Sequence, residues 1–214
     1  GLGVHYGLYS LIGKGERALM VGALTEDEYH ELPKLLKANH FEANDIVEFA
    51  IANGMRYLNF SVRNADGFSL YNTAQTDFSI VNTPAHRDLL AVLASVCEYH
   101  GIRLCLHYAL GEDWHHAKGP RKGCERSKED LLEYREFIMG QLNELLTQYG
   151  PIGAVCFQEI EGVLGHADGE AFDCADLYRY VRHLQPQTLV AFEQGIHGSE
   201  DFFSCVKAIP SEDA

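Results

Sequence analysis

The segment from Gly150 to Glu159 restricts the possible folds more than any other part of the chain. It opens with Gly150-Pro151, a helix stop, continues as a short apolar run, and ends abruptly in Gln158 and Glu159. An apolar run of this length between turn signals is typical of a strand that is buried on both faces. Because α/β folds carry their chemistry at the carboxyl ends of such strands, the two polar residues indicate where a site lies.

Strand and helix patterns alternate along the whole chain. Apolar runs rich in β-formers predict strands at residues 3–10, 56–62, 102–108, 153–158 and 188–193. Apolar residues at helical spacing, behind capping residues, predict helices at residues 26–38, 45–53, 83–100, 127–149, 173–184 and 199–208. This alternation favours an α/β fold with a parallel sheet.

The chain length limits how much of a barrel this alternation can complete. A TIM barrel of eight units needs about 250 residues, and the chain has 214 residues. We therefore predict a single domain over residues 1–214. It is expected to be a TIM-barrel-related (β/α) barrel curtailed to five or six units, or an open sheet of that origin. An exposed edge of an open sheet would favour a homo-oligomer.

Charge and composition argue against several kinds of partner and cofactor. A net charge of −14 disfavours nucleic acid and anionic membranes, which bind basic faces. No apolar stretch reaches the roughly 20 residues of a membrane span. No P-loop, G-x-G-x-x-G or G-x-S-x-G motif occurs, so we expect no cofactor and no serine-dependent acyl transfer. The six cysteines form no C-x-x-C pair, which favours free thiols and a cytoplasmic protein, with a trimmed export signal as the alternative.

Several segments share the motifs of one enzyme family, in the same order. Residues 4–10 read VHYGLYS, residues 63–68 read RNADGF, residues 76–81 read TDFSIV and residues 144–157 read ELLTQYGPIGAVCF. They resemble IHWG-x-x-S, K-H-H-D-G-F, T-D-W-N-V-V and E-L-L-T-x-Y-G-P-I-D-x-x-W-F of the α-L-fucosidases, the family 29 glycoside hydrolases. The resemblance implies a (β/α) barrel-like domain with a carbohydrate pocket at the carboxyl ends of its strands.

The chain departs from this family at the residues that carry the family's chemistry. Gln158 stands where the family has its Asp nucleophile, and an amide cannot act as a carboxylate nucleophile. Asn64 and Ala65 replace two sugar-binding histidines, and no clear match to the family's Arg follows the fifth predicted strand. His5 and Tyr108 are retained. The resemblance therefore implies the fold more directly than it implies ordinary α-fucosidase chemistry.

Two carboxylates beside predicted strand ends are candidates for catalysis. Glu159 directly follows Gln158, and Glu193 ends the fifth predicted strand. Glycoside hydrolysis uses a pair of carboxyl groups, which is why these two positions matter. The alternative for each is a solvated or ion-paired loop residue. Asp66, which precedes Gly67, is interpreted as a turn former.

A second group of residues is predicted to bind the sugar: His5, Asn64, Tyr108, Trp114 and Gln158. Tyr108 and Trp114 offer aromatic faces on which a sugar ring can stack. The alternative for His5 and Tyr108 is a position in the core. The polar residues Asp113, His115 and His116, even with His107, match no strong metal motif, so we predict no metal site.

Two functions remain open on this evidence. The first is a divergent glycoside hydrolase that uses an altered mechanism, inverting or substrate-assisted, because Gln158 cannot form a glycosyl-enzyme. The second is a non-catalytic carbohydrate-binding or interaction protein that kept the pocket. The arrangement of carboxylates around the pocket distinguishes the two hypotheses.

Overall fold

A parallel sheet of six strands forms the centre of the computed structural model, which describes residues 1–121, 123–192 and 200–203. The strands lie in the sheet in chain order, and every neighbouring pair is parallel. They are β1 (Leu2–Val4), β2 (Tyr57–Arg63), β3 (Arg103–Ala109), β4 (Ile152–Gln158), β5 (Leu189–Phe192) and β6 (Phe202–Phe203). An order without a switch point is that of a (β/α) barrel rather than a doubly wound sheet.

Helices connect successive strands. They are α1 (Glu26–Glu31) and α2 (Ala43–Ala52) before β2, α3 (Leu89–His100) before β3, α4 (Lys128–Gln148) before β4, and α5 (Glu161–Leu164) and α6 (Cys174–Leu184) before β5. Short 3-10 helices occur at Leu8–Leu11, Leu32–Leu35, Ile80–Asn82 and Gly169–Phe172. Within the described residues, every helix is too short or too polar to cross a membrane.

Local capping explains where the predicted helices begin and end. Ser127 Oγ accepts a hydrogen bond from the Asp130 backbone N–H at 3.1 Å, and the Asp130 carboxylate accepts from the Ser127 N–H at 3.2 Å. This reciprocal pair satisfies two N–H groups at the start of α4. At the end of α3, Gly101 adopts a left-handed φ of 68°, which glycine reaches without steric cost. Both boundaries confirm the sequence prediction.

Alternation along the strands gives the sheet two different faces. On one face, large side chains pack beneath the helices, and all of them are buried: Leu58, Phe60, Leu104, Leu106, Tyr108, Val155 and Phe157. The opposite face carries small and polar side chains, including Asn59, His107 and Cys156. Asn59 Nδ2 lies 3.7 Å from Cys156 Sγ, although β3 separates their strands. Contact across an intervening strand shows that this polar face is concave.

Two boundaries differ from the prediction at the start of the chain. The first strand ends at Val4 rather than at residue 10, and a 3-10 helix follows at Leu8–Leu11. The helix predicted over residues 26–38 ends at Glu31. Pro33 has no N–H to continue an α-helical ladder, and it lies in the first turn of a 3-10 helix instead.

Two later predictions are also corrected. The helix predicted from residue 83 begins at Leu89, because Asp88 supplies the cap by accepting a hydrogen bond from the Ala91 N–H at 2.8 Å. The last predicted helix, residues 199–208, is wrong at Phe202–Phe203, which pair with β5 as a strand. The remainder of that prediction falls mostly outside the described residues. The cysteines in the described part of the chain are free thiols, as expected.

Candidate functional site

Three strand ends and one loop bring a polar cluster together on the concave face. His5 follows β1, His107 lies on β3 and Gln158 ends β4. The imidazole rings of His5 and His107 meet edge to face, with ring centroids 4.7 Å apart. Glu16, from the loop after the first 3-10 helix, places Oε2 3.4 Å from His5 Nδ1. The cluster therefore combines two imidazoles, one carboxylate and one amide.

Burial keeps one of the two imidazoles neutral. His107 is 6% exposed, and its Nε2 has no hydrogen-bond partner among the described residues. Desolvation lowers the pKa of His107 to about 4, and the nearby His5 lowers it further, against a hydrogen bond with Gln158 that raises it. A neutral imidazole with an unpaired ring nitrogen can exchange a hydrogen bond with a ligand hydroxyl.

Glu16 is held in its ionised form. A hydrogen bond from His5 lowers the pKa of the Glu16 carboxyl, in spite of a smaller opposing effect of burial. Both side chains are 45% exposed, so the pair is accessible from solvent. A carboxylate that orients an imidazole in this way can support proton transfer at the other ring nitrogen.

Glu159 occupies an unusual backbone conformation directly after β4. Its φ of 60° lies in the left-handed region, which costs a residue other than glycine about 1–2 kcal/mol. Its Oε1 accepts a hydrogen bond from Arg17 Nη2 at 3.0 Å. Glu16 contacts His5 after β1, and the next residue, Arg17, contacts Glu159 after β4. These two contacts hold the loop across the ends of β1 and β4. We call this arrangement the Glu159 crossing.

A cavity of about 420 Å³ opens beside this crossing. Its lining comes from the loops after β1, β3 and β4 and includes Arg17, Glu112, Arg121, Glu159, Glu161 and His166. The loops after β3 and β4 touch through their backbones. A Cβ built on Gly111 would lie 1.4 Å from the Glu159 carbonyl oxygen, and one on Gly162 would lie 1.8 Å from the Gly111 carbonyl oxygen. Only glycine allows this approach.

Two of the predicted sugar-binding residues have structural partners. Asn64 is 4% exposed; its Oδ1 accepts a hydrogen bond from Ser61 Oγ at 2.7 Å, and its Nδ2 donates to the Tyr6 carbonyl at 3.0 Å. Asn64 therefore joins the ends of β1 and β2. Trp114 is half-buried, and its Nε1 donates to Glu112 Oε1 at 3.0 Å. Trp114 thereby supports a cavity carboxylate without lining the cavity itself.

Tyr108 lies in the core, which corrects its assignment to the pocket. It is fully buried, and its hydroxyl donates a hydrogen bond to Gln141 Oε1 on α4 at 2.6 Å. Tyr108 and His107 are neighbours on one strand and therefore face opposite sides of the sheet. His107 therefore lies on the concave face of the sheet.

A buried ion pair stabilises the helix side of the same strand ends. The Arg63 guanidinium, fully buried, contacts the Asp113 carboxylate and donates to the Ala109 carbonyl at 2.5 Å. Its Cζ lies 5.2 Å from the centroid of Tyr108. Asp113 is thus a structural residue that fixes the loop after β3, and the aromatic neighbours surround the cation.

Asp66 has the structural role that its position before Gly67 predicts. It accepts hydrogen bonds from the Tyr29 hydroxyl at 2.6 Å and from the Phe68 N–H at 3.0 Å. Burial raises the pKa of Asp66 to about 6, although both hydrogen bonds act in the opposite direction. Among the described residues no group of three His, Cys, Asp or Glu side chains could hold a metal ion.

The sequence prediction missed part of this site. Glu193 lies outside the described residues, so its predicted role stays a prediction. Glu16 and Arg17 lie in a loop with no periodic pattern, and only the tertiary route of that loop brings them to the strand ends. His107 did carry a signal, because alternation along β3 places it opposite the buried Tyr108.

Comparisons with known proteins find similar sequences and similar structures. A sequence model described as alpha-L-fucosidase matches residues 1–210. Alpha-L-fucosidase 1 of Arabidopsis thaliana is 28% identical over 166 residues, which cover 76% of this chain and 30% of the plant protein. The chain thus spans less than a third of that relative.

The solved structures that this chain resembles include two bacterial alpha-L-fucosidases. Alpha-L-fucosidase isoenzyme 1 from Paenibacillus thiaminolyticus matches with a TM-score of 0.78 and 27% identity, over 89% of this chain and 47% of that one. Alpha-L-fucosidase AlfC from Lactobacillus casei, solved in complex with alpha-L-fucose product, matches with a TM-score of 0.74 and 25% identity, over 89% of this chain and 67% of the bacterial chain.

Proposed function

Because the chain belongs to the alpha-L-fucosidase family, we propose that its strand-end site binds an α-L-fucosyl residue and cleaves the glycosidic bond that follows it. The observation that carries this proposal is the cluster of His5, Glu16, His107 and Gln158 at the ends of three parallel strands. Such strand ends are where barrel enzymes bind their substrates. The cluster supplies several hydrogen-bonding groups within one concave surface, as a sugar with several hydroxyls requires.

Each residue of the cluster has a role that follows from its chemistry. The unpaired Nε2 of His107 forms a hydrogen bond with a sugar hydroxyl, which gives this buried nitrogen the partner that it lacks. The Gln158 amide both donates and accepts hydrogen bonds and can position a hydroxyl or a water molecule. Because an amide cannot form a glycosyl-enzyme, we propose that water attacks the anomeric carbon directly, which is the inverting course.

Inverting hydrolysis needs one carboxylate to activate water and one carboxylic acid to protonate the leaving oxygen. Glu16, ionised and hydrogen-bonded to His5, fits the first role. Glu159 and Glu193 are the candidates for the second role. Glu159 lines the adjoining cavity but is ion-paired with Arg17, so it must exchange this partner to carry a proton.

A second candidate function is fucoside binding without hydrolysis. The specific observation in its favour is Gln158, together with the ion pair between Arg17 and Glu159. In that case the cluster would still recognise the sugar, and His107 would keep its role, but no group would act as the acid.

Hydrolysis of an aryl α-L-fucoside by the purified chain tests the proposal. We expect turnover above the uncatalysed rate, a loss of at least about 100-fold in kcat for Glu16→Gln and a similar loss for Glu159→Gln, since removal of a general acid or base costs about 10²–10⁴-fold. Glu98→Gln removes an exposed carboxylate on α3 and serves as the matched control. Absence of turnover together with saturable fucose binding would select the binding function, and absence of both would refute the proposal.

A further inference from the structure

We propose that the cavity beside the Glu159 crossing receives the leaving-group part of the substrate and favours a sugar with an amine over a sugar with a carboxylate. The assignment of the cavity to the leaving group rests on the proposed function, whereas the preference for an amine over a carboxylate rests on the side chains that line the cavity. At about 420 Å³ the cavity lies in the size range of small-ligand sites. Arg17 and Glu159 line it, and each is the chain neighbour of a cluster residue, Glu16 or Gln158.

Among the described residues, carboxylates outnumber guanidinium groups on the cavity wall. Its two guanidinium groups are already engaged: Arg17 with Glu159 at 3.0 Å, and Arg121 with Glu26, outside the lining, at 3.4 Å. Glu112 and Glu161 also line the cavity, and neither forms an ion pair with a described residue. Two carboxylates without an ion-pair partner in the described part of the chain favour cations over anions in a concave site.

Glu112 gives this preference a specific anchor. The residue is only 9% exposed, and its Oε1 accepts the Trp114 indole hydrogen bond at 3.0 Å. No described residue donates a hydrogen bond to its Oε2, and the residue lines the cavity. A carboxylate without a cationic partner among the described residues favours a ligand N–H or O–H, and most of all an ammonium group. A ligand carboxylate would instead add like charge to the wall.

Close packing of glycine backbones fixes the two loops that carry the charged groups. Gly111, Gly162 and Gly165 line the same cavity. Neighbouring backbone atoms fill the space where their side chains would lie, so glycine at these positions lets the two loops pack directly against each other. The specificity of the cavity is therefore expected to come mainly from Glu112 and Glu161.

Binding of three matched monosaccharides tests the preference without requiring turnover. Methyl β-glucosaminide, methyl β-glucoside and methyl β-glucuronide are titrated into the purified chain just below neutral pH at low salt, with ligand-observed NMR as the readout. We expect the glucosaminide to bind at least about tenfold more tightly than the glucuronide, with the glucoside between them, since like charge in a confined site is strongly disfavoured.

Variants assign the preference to the cavity. The double variant Glu112→Gln with Glu161→Gln should reduce the ratio of glucosaminide affinity to glucuronide affinity at least about threefold. This is the size of effect expected for partly exposed charges. Glu161→Gln alone, at an exposed position, should give part of that reduction and cannot act by unfolding the chain. Glu98→Gln, remote on α3, should leave the ratio unchanged. Equal binding of amine and acid, no binding of any of the three sugars, or a ratio unaffected by the double variant would overturn the proposal.

The same experiment separates this inference from the proposed function. If fucose binds and the amine preference is absent, only the inference about the cavity is wrong. If the amine preference is present while the aryl fucoside is neither bound nor hydrolysed, the cavity chemistry stands, and both the fucosidase function and the leaving-group assignment are wrong.

Discussion

Two arginines connect loops to the strand ends of this protein, and their surroundings differ completely. Arg63 and its partner Asp113 are 0% and 1% exposed, whereas Arg17 and its partner Glu159 are 46% and 18% exposed. The first pair lies beneath α4 among aromatic rings, and the second crosses the open end of the concave face. A buried pair that loses one partner leaves an uncompensated charge, but an exposed pair exchanges its partner for water at little cost. The first pair therefore fixes the scaffold, and the second can rearrange with a ligand.

Replacement of Arg63 should give the largest effect. Arg63→Met keeps much of the side-chain length but removes the charge, so Asp113 remains buried without a cation and the Ala109 carbonyl loses its donor. We expect a loss of about 3–5 kcal/mol in the free energy of unfolding, measured by urea denaturation. A loss below 1 kcal/mol would remove the distinction between the two arginines. The double variant Arg63→Met with Asp113→Asn should recover part of the loss.

Replacement of Gly111 should disturb the site through the backbone. The Cβ of Gly111→Ala would collide with the Glu159 carbonyl, so the loops after β3 and β4 must separate. We expect a loss of about 3 kcal/mol in unfolding free energy, together with weaker fucose binding. Gly3→Ala is the control, because nothing lies within 4 Å of its added Cβ and its φ is not positive. Equal stability of the two variants would show that the loop contact is not needed.

His107 in the site and Asp66 in the scaffold should change the free energy of unfolding in opposite directions as the pH falls. The folded-state pKa of His107 is about 4, below the ordinary 6.5, so the unfolded chain binds more protons between these values. Stability from His107 is therefore present above pH 6.5 and lost as pH falls toward 4. Asp66 has a folded-state pKa of about 6, above the ordinary 3.8, so the folded chain binds more protons there and its effect is opposite.

Single variants separate these two opposing groups. In urea denaturation at pH 7 and at a pH near 4.5, His107→Gln should lose less stability on acidification than the parent chain, by up to about 2–3 kcal/mol. Asp66→Asn should lose more than the parent chain. The same sign for both variants would mean that one of the two groups is not desolvated as the structure places it.

The sequence predicts the scaffold better than it predicts the site, for a physical reason. Strands β2 to β5 and the start of α4 follow from local signals, such as apolar runs and the Ser127–Asp130 cap. The place of Gln158 beside His107 follows from its position at a strand end. The contact between Arg17 and Glu159 joins residues 142 positions apart, and no local pattern specifies it. Tyr108 was assigned to the wrong face because alternation separates the two faces of a strand but does not show which face packs against the helices.

The exposed arginine should give the smallest effect on stability and a clear effect on the site. Arg17→Met removes one ion-pair partner of Glu159 at a position where the arginine side chain is 46% exposed, so we expect a change below about 1 kcal/mol in unfolding free energy. Without the guanidinium, Glu159 should keep its proton to higher pH, and the alkaline limb of the pH–rate profile for fucoside hydrolysis, which a general acid sets, should move to higher pH. Lys14→Met, which removes an exposed cation from the same loop, should change neither quantity. A large loss of stability in Arg17→Met would instead assign the crossing to the scaffold, and the two arginines would then differ in exposure but not in role.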